Sequence, residues 1–232
     1  MKKTFYIVVL VFLSFILLFS VLFTWRPELI SVVRYQIPDA ETYKAYPQTV
    51  IYPADTAFRF AKSATNRNDL DTLRVLDGKK RLLPFEEYLK GGKVKLFMVI
   101  RNDSIIYQHF APGYSDSTLT TLFSVAKTMV SIMLGQALEQ GKIKSLDDRL
   151  VQYVPELKVN PAFDHITLRN LLDMKSGLKF EDTNGSYIHA FLSDEARFYY
   201  TDDIKKELLK VELDNTPGTV YKYESIDAFL LT

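Results

Sequence analysis

Cysteine is absent from the 232 residues. Its absence excludes disulfides, thiolate metal sites, a cysteine nucleophile and a lipid-modified cysteine anchor, and it suits an oxidising compartment. Histidine is nearly as scarce. His109, His165 and His189 show no metal-ligand spacing, and each reads as a surface or hydrogen-bonded polar residue, so no metal site is expected. No long block of like charge occurs, and the formal net charge is +1, which gives no reason to expect a nucleic-acid partner. Gly91-Gly92 reads as a turn without a phosphate-loop pattern around it. No internal repeat or low-complexity tract follows the N-terminal segment.

What is present is ordinary for a globular chain, 47% hydrophobic and 25% charged, and long enough for one domain with a substantial core. The clearest physical signal is N-terminal. Lys2 and Lys3 precede an uncharged run from Phe5 to Trp25. A helix of about twenty residues at ~1.5 Å rise spans the ~30 Å hydrocarbon core of a bilayer. A cleaved signal peptide is the alternative. Its apolar region is shorter and ends at small residues, whereas Val21-Leu22-Phe23-Thr24-Trp25 is bulky. The pattern predicts a cytoplasmic tail over 1–4 and an uncleaved, single-pass transmembrane signal anchor over 5–25. With two lysines holding the tail inside, the remainder is expected on the extracytoplasmic (periplasmic) side of the cell membrane.

Residues 26–92 read as an irregular juxtamembrane segment punctuated by prolines, with a short helix over Phe85–Lys90 stopped by glycine. From 93 to 232 the pattern is that of one domain. Val94–Ile100 and Ile105–Phe110 predict a hairpin about the turn Arg101-Asn102-Asp103-Ser104, the only strong strand pair. From Thr121 the pattern is helical. The stretch Val125–Leu138 is apolar nearly all round, which predicts a helix buried on every side and ended by Gly141. Further helices are expected over Asp147–Tyr153, over Leu168–Met174 capped by Thr167, and over Asp202–Val211, with an apolar segment from Ser225.

Ser-x-x-Lys occurs twice, at Ser124…Lys127 and Ser176…Lys179. Ser124 heads the long apolar helix, so Lys127 lies one turn on, on the same face, within reach of the Ser124 hydroxyl. A lysine there is costly without a partner or a task, and desolvation would favour the neutral amine that a base requires. A helix N-terminus also suits a developing oxyanion. Read without chemistry, Ser124 is an N-cap and Lys127 a snorkelling surface lysine. Gly177 breaks the second pair, which reads as a turn.

Four segments then occur in order. Phe123-Ser124-Val125-Ala126-Lys127-Thr128 resembles the nucleophile motif of β-lactamase-related serine hydrolases, the class C β-lactamase and penicillin-binding-protein-like group. Gly141-Lys142-Ile143, Leu146-Asp147-Asp148 and Tyr153–Leu157 resemble its G-K-L, L-D-D and Y-x-P-E-L run. Ile166–Leu178 resembles its I-T-(I/L)-R-x-L-L-x-x-x-S-G segment, and Pro217–Tyr223 its P-G-x-x-F-x-Y segment. The resemblance implies an α+β, two-lobe β-lactamase/transpeptidase-like fold, a sheet lobe and a helical lobe with Ser124 at their junction, preceded by one transmembrane helix. It implies that Ser124, Lys127 and Tyr223 are catalytic, Tyr223 sharing the Ser124 proton with Lys127. The product of attack would be a Ser124 acyl-enzyme formed from a small-molecule ester or amide, with no cofactor. Which of Lys127 and Tyr223 is the base stays open, since the two would titrate as a coupled pair.

Two departures refine the resemblance. The second motif reads Tyr223-Glu224-Ser225 in place of Tyr-x-Asn. Ser225, the expected substrate-binding residue, is shorter than asparagine and cannot make the same bidentate amide contact. That resembles the esterase and 6-aminohexanoate-oligomer-hydrolase side of the family rather than a β-lactam specialist. The late Lys/His-Thr/Ser-Gly motif is absent, and the sequence stops at Thr232 inside an expected helix. On this reading the fold is incomplete and the chain a C-terminally truncated member. The alternative function is a non-catalytic or truncated penicillin-binding-like protein that binds without turnover. Oligomeric state is unknown from sequence.

Overall fold

A computed structural model of the chain describes residues 2–25, 30, 38–52, 55–56, 58–63, 70, 72–91, 94–182 and 193–232. The expected juxtamembrane residues 26–29 and 31–37, Gly92 and His189 lie outside them.

Helix α1 runs Lys2–Trp25. Its segment Phe5–Thr24 is long and apolar enough to cross a membrane, and none of those twenty side chains is buried. Two hydroxyls in it bond back to the helix's own backbone. Ser14 Oγ donates to the Leu10 carbonyl at 2.8 Å and Thr24 Oγ1 to the Ser20 carbonyl at 2.7 Å, as an apolar surrounding demands.

Compact units are formed by Tyr46–Thr120 and by Met1–Ala45 with Thr121–Thr232. In the first, the expected hairpin is present. Strands β4 (Leu96–Arg101) and β5 (Ser104–Phe110) pair antiparallel. Asn102 and Asp103 both take left-handed φ, 50° and 55°, the conformation a two-residue hairpin turn requires. The segment 26–92, however, is not irregular throughout. Strand β1 (Ala61–Lys62) adds to β5 in parallel, and β2 (Arg74–Leu76) and β3 (Leu82–Pro84) form a second hairpin. Asp77 closes that hairpin by accepting the backbone N–H groups of Lys79 and Arg81. These strands are two or three residues long and mostly exposed, so no alternation of apolar residues announced them. Helix α2 (Phe85–Gly91) follows where expected. Its Phe85 packs on Phe97 and Tyr107, with ring centroids 5.2 and 5.8 Å away.

In the second unit, a 3₁₀ turn over Phe123–Val125 leads into α3 (Ala126–Glu139). Gly141 ends α3 with φ +69°, and Lys142 N–H reaches back to the Ala137 carbonyl. Burial of this helix on every side is not observed. Leu134 enters the core, whereas Val125 and Met133 are each 65% exposed. A helix apolar all round needs cover all round, and the described core of this unit reaches one face of it.

That core is built from turns and short helices: Leu150, Leu157, Phe163, Ile166, Leu171, Leu178, Phe180 and Ile226 are buried together. The Asp147–Tyr153 helix is corrected to a 3₁₀ turn at Leu150–Gln152, and the Asp202–Val211 helix to α6, Ile204–Leu208. Helix α4 (Leu168–Leu172) is shorter than expected, and Thr167 and Asn170 cap it reciprocally. Helix α5 (Asp194–Tyr200) was not anticipated, and α7 spans Ser225–Phe229.

Several residues of the family-like segments hold this unit together. Arg169 forms a two-pronged pair with Asp147 at 2.7 and 3.2 Å, and the Tyr153 hydroxyl donates to Asp148 at 2.6 Å. Gly177 has φ +74°, and a Cβ there would lie 2.2 Å from the Asn215 carbonyl oxygen. The close approach lets the Gly177 carbonyl accept the N–H groups of both Asp214 and Asn215.

Candidate active site

Ser124 is the middle residue of the 3₁₀ turn that opens α3. The preceding Phe123 has φ +47°, a left-handed conformation that an aromatic residue adopts only at a cost of ~1–3 kcal/mol. Strain of this kind at the entry to a helix fixes where the next side chain points. Lys127 follows one turn later, and its Nζ donates to Ser124 Oγ at 3.1 Å.

Tyr223 arrives from 99 residues away, along a shelf made by residues 174–182. The Lys175 carbonyl accepts Gly218 N–H at 2.8 Å and the Met174 carbonyl accepts Lys222 N–H at 2.9 Å. The Lys222 ammonium donates to the Phe180 carbonyl at 2.7 Å. Held in this way, the Tyr223 hydroxyl sits 2.9 Å from Ser124 Oγ, and Lys127 Nζ lies 5.1 Å from the Tyr223 ring centre. Tyr223 is 47% exposed and Ser124 is also exposed, so among the described residues the hydroxyl is open to an incoming molecule.

Ser225 heads α7 and faces the same lysine, with Lys127 Nζ donating to Ser225 Oγ at 3.4 Å. Two carboxyl groups that sequence reading missed complete the surroundings. Both Asp182 oxygens accept the Ser225 N–H, at 3.1 and 3.0 Å. The Ser225 hydroxyl lies 3.3 Å from Asp182 Oδ2 and 3.3 Å from Glu195 Oε1. Burial pushes the Asp182 carboxyl above its ordinary range, its bonds to Ser225 and the charge of Lys127 pull it back, and neighbouring Glu195 adds to the rise. Nothing in sequence marks either residue, because they stand 43 and 30 positions from Ser225.

Behind this row lie two buried acids. Glu224 is 2% exposed and Asp227 fully enclosed. Burial raises Glu224 to about 7, against the pull of its ion pair with Lys222 at 2.5 Å. Burial likewise raises Asp227 to about 6, although its Oδ2 accepts Ser176 N–H at 3.4 Å. The structure therefore brings Ser124, Lys127, Tyr223 and Ser225 together. It separates the second Ser-x-x-Lys pair: Ser176 is buried against Asp227, while Lys179 is exposed and faces Glu212 at 3.5 Å. Among the described residues, no cluster of histidine and acidic side chains could hold a metal ion.

A hydroxyl within hydrogen-bond reach of both an amine and a phenol, at the head of a helix, is the arrangement of an activated nucleophile. The chain belongs to the β-lactamase family: the family model described as Beta-lactamase matches residues 92–232. Among curated relatives, a 6-aminohexanoate-dimer hydrolase of Paenarthrobacter ureafaciens is 24% identical over 143 residues, which are 62% of this chain and 34% of that protein. A β-lactamase of Pseudomonas fluorescens is 36% identical over 108 residues, 44% of this chain and 29% of that protein. This chain thus spans about a third of each. A solved structure from Bacillus anthracis, provisionally named a 6-aminohexanoate-dimer hydrolase, superposes with a TM-score of 0.57 at 22% identity. It covers 76% of this chain and 47% of that one, and it shows the same fold.

Proposed function

We propose that this chain carries a serine hydrolase site that cleaves an ester or amide through an acyl-enzyme on Ser124. The observation that carries this reading is the double contact at one oxygen: Ser124 Oγ has Lys127 Nζ at 3.1 Å and the Tyr223 hydroxyl at 2.9 Å. In the reaction, Ser124 Oγ bonds to the substrate carbonyl carbon as its proton passes to the Lys127–Tyr223 pair. The same pair returns that proton to the leaving alcohol or amine as the scissile bond breaks. Water then attacks the ester on Ser124 and releases the acid. The Ser124 N–H, in the middle of the 3₁₀ turn, helps to hold the oxyanion. Ser225, 3.4 Å from Lys127 Nζ, meets the substrate on this reading.

The full chain in detergent, incubated with a fluorophosphonate probe, should gain one adduct by intact mass, and Ser124→Ala should gain none. A folded wild-type chain that stays unlabelled would remove this reading.

The apolar α1 supports single-pass anchoring, and Lys2 and Lys3 before it favour the remainder of the chain lying outside the cytoplasm. After alkaline carbonate washing, the chain should stay with the membrane pellet at its full mass. Release as a species shortened at its N-terminus would show instead that α1 is a cleaved leader.

A further inference from the structure

The hydroxyl of Ser225 has more neighbours than it has protons. Lys127 Nζ can only donate to it, at 3.4 Å. The single Ser225 proton can then go to Asp182 Oδ2 or to Glu195 Oε1, both at 3.3 Å, but not to both. The carboxyl left without it can bond the hydroxyl only by bringing a proton of its own. Two carboxylates and one ammonium around one hydroxyl therefore fit best with one further proton held between the carboxyls.

We propose that Asp182 and Glu195 form a proton-sharing carboxyl pair about the Ser225 hydroxyl, and that this pair, carrying one negative charge rather than two, is the counterion that positions Lys127 beside Ser124. The proposal deepens the hydrolase reading and rests on it.

The surroundings agree on several points. Asp182 is half-enclosed and takes the Ser225 N–H on both oxygens, so it cannot swing away without releasing the first residue of α7. Glu195 is set by the start of α5, where its N–H donates to the Glu181 carbonyl at 3.1 Å and Ser193 caps the helix. Among the described residues, Lys127 faces Ser124 and Tyr223 on one side and Ser225 on the other, with the carboxyl pair behind Ser225. Glu224 and Asp227 lie on the same stretch of chain as Ser225 and feel Asp182 only through space, its charge adding to the rise of each. Burial and the neighbouring Glu195 oppose ionisation of Asp182, while its bonds to Ser225 and the charge of Lys127 favour it. Asp182 and Glu195 touch no reacting atom in this scheme. They act through Ser225 and Lys127, and are positioning residues.

The test reads the pH at which Lys127 becomes reactive, by competitive acetylation of the full chain and peptide mass spectrometry, with no need for turnover. Asp182→Asn alone and Glu195→Gln alone should each leave that midpoint nearly unchanged, because the remaining carboxyl ionises and keeps the single charge. The double variant should lower it by about one unit or more, the size expected for losing one nearby opposite charge. Comparable downward shifts in the two single variants that add in the double would mean two independent carboxylates and would overturn the sharing. No shift in any of the three would leave Asp182 as a helix cap alone and overturn the counterion role. Should a variant fail to fold, wild-type ¹³C-carboxyl titration decides. Two separated steps, the later one above the ordinary carboxylate range, support the pair, and ordinary independent titration of both sinks it. Fluorophosphonate labelling of the wild type, run in parallel, tests the hydrolase reading separately.

Discussion

Lys127→Ala should slow fluorophosphonate capture at Ser124 by about 10²–10⁴-fold, the usual contribution of a positioned general base. At neutral pH a serine hydroxyl is a poor nucleophile until its proton has somewhere to go. Among the described residues, Lys127 Nζ and the Tyr223 hydroxyl are the groups in hydrogen-bond contact with Ser124 Oγ. Lys127 is partly exposed and enters none of the buried core. The loss should therefore appear in the second-order rate constant of labelling while the circular dichroism spectrum is unchanged. Tyr223→Phe should also be slow, and the double variant should be no slower than the worse single variant, because two groups that move one proton are not additive. An alanine variant labelled at the wild-type rate would show that the lysine is a surface residue that happens to lie near the serine.

The second large effect is on stability. Urea denaturation should give a lower midpoint at pH 8 than at pH 5, and Glu224→Gln should remove much of that difference. The sign follows from burial. Glu224 is raised from 4.5 to about 7 and Asp227 from 3.8 to about 6. Over the intervening pH range the folded chain holds protons that the unfolded chain has released, so folding is favoured at the acidic end and stability falls as pH rises through the folded values. At ~1.4 kcal/mol per unit, ionising Glu224 in place costs on the order of 3–4 kcal/mol. Glutamine keeps the shape without the charge, so the variant should match the wild type near pH 5 and exceed it at pH 8. A variant weaker than wild type at pH 8 would mean that the Lys222 ion pair outweighs burial.

Because Glu224 stands between Tyr223 and Ser225, the same protonation bears on the site. A neutral Glu224 is compatible with the shelf that Lys222 anchors through the Phe180 carbonyl. A charged one must be compensated by Lys222 alone among the described cations. Labelling rates followed from pH 5 to 8 therefore report the Lys127–Tyr223 pair most cleanly in Glu224→Gln, where this second titration is gone.

Sequence alone determined what depends on short range. An uncharged run of bilayer length makes α1. A serine and a lysine three apart at the head of a helix share a face whatever surrounds them. A turn of two residues tolerant of left-handed φ makes the β4–β5 hairpin, and Gly141 ends α3. Family resemblance extended this to Tyr223, which no spacing singled out among fourteen tyrosines. Tertiary structure decided the rest. Strands β1, β2 and β3 exist through backbone pairing of residues whose side chains stay exposed, so hydrophobic periodicity is silent about them. The exposure of Val125 and Met133 depends on what lies over α3 and not on the composition of α3. Asp182 meets Ser225 because residues 174–182 and 217–225 are bonded backbone to backbone, and Glu195 joins them through its N–H bond to the Glu181 carbonyl. Hydrogen-bonding reach is about 3 Å in space and unlimited along the chain, which is why the Ser124–Lys127 pair was legible in the sequence and Asp182 and Glu195 were not.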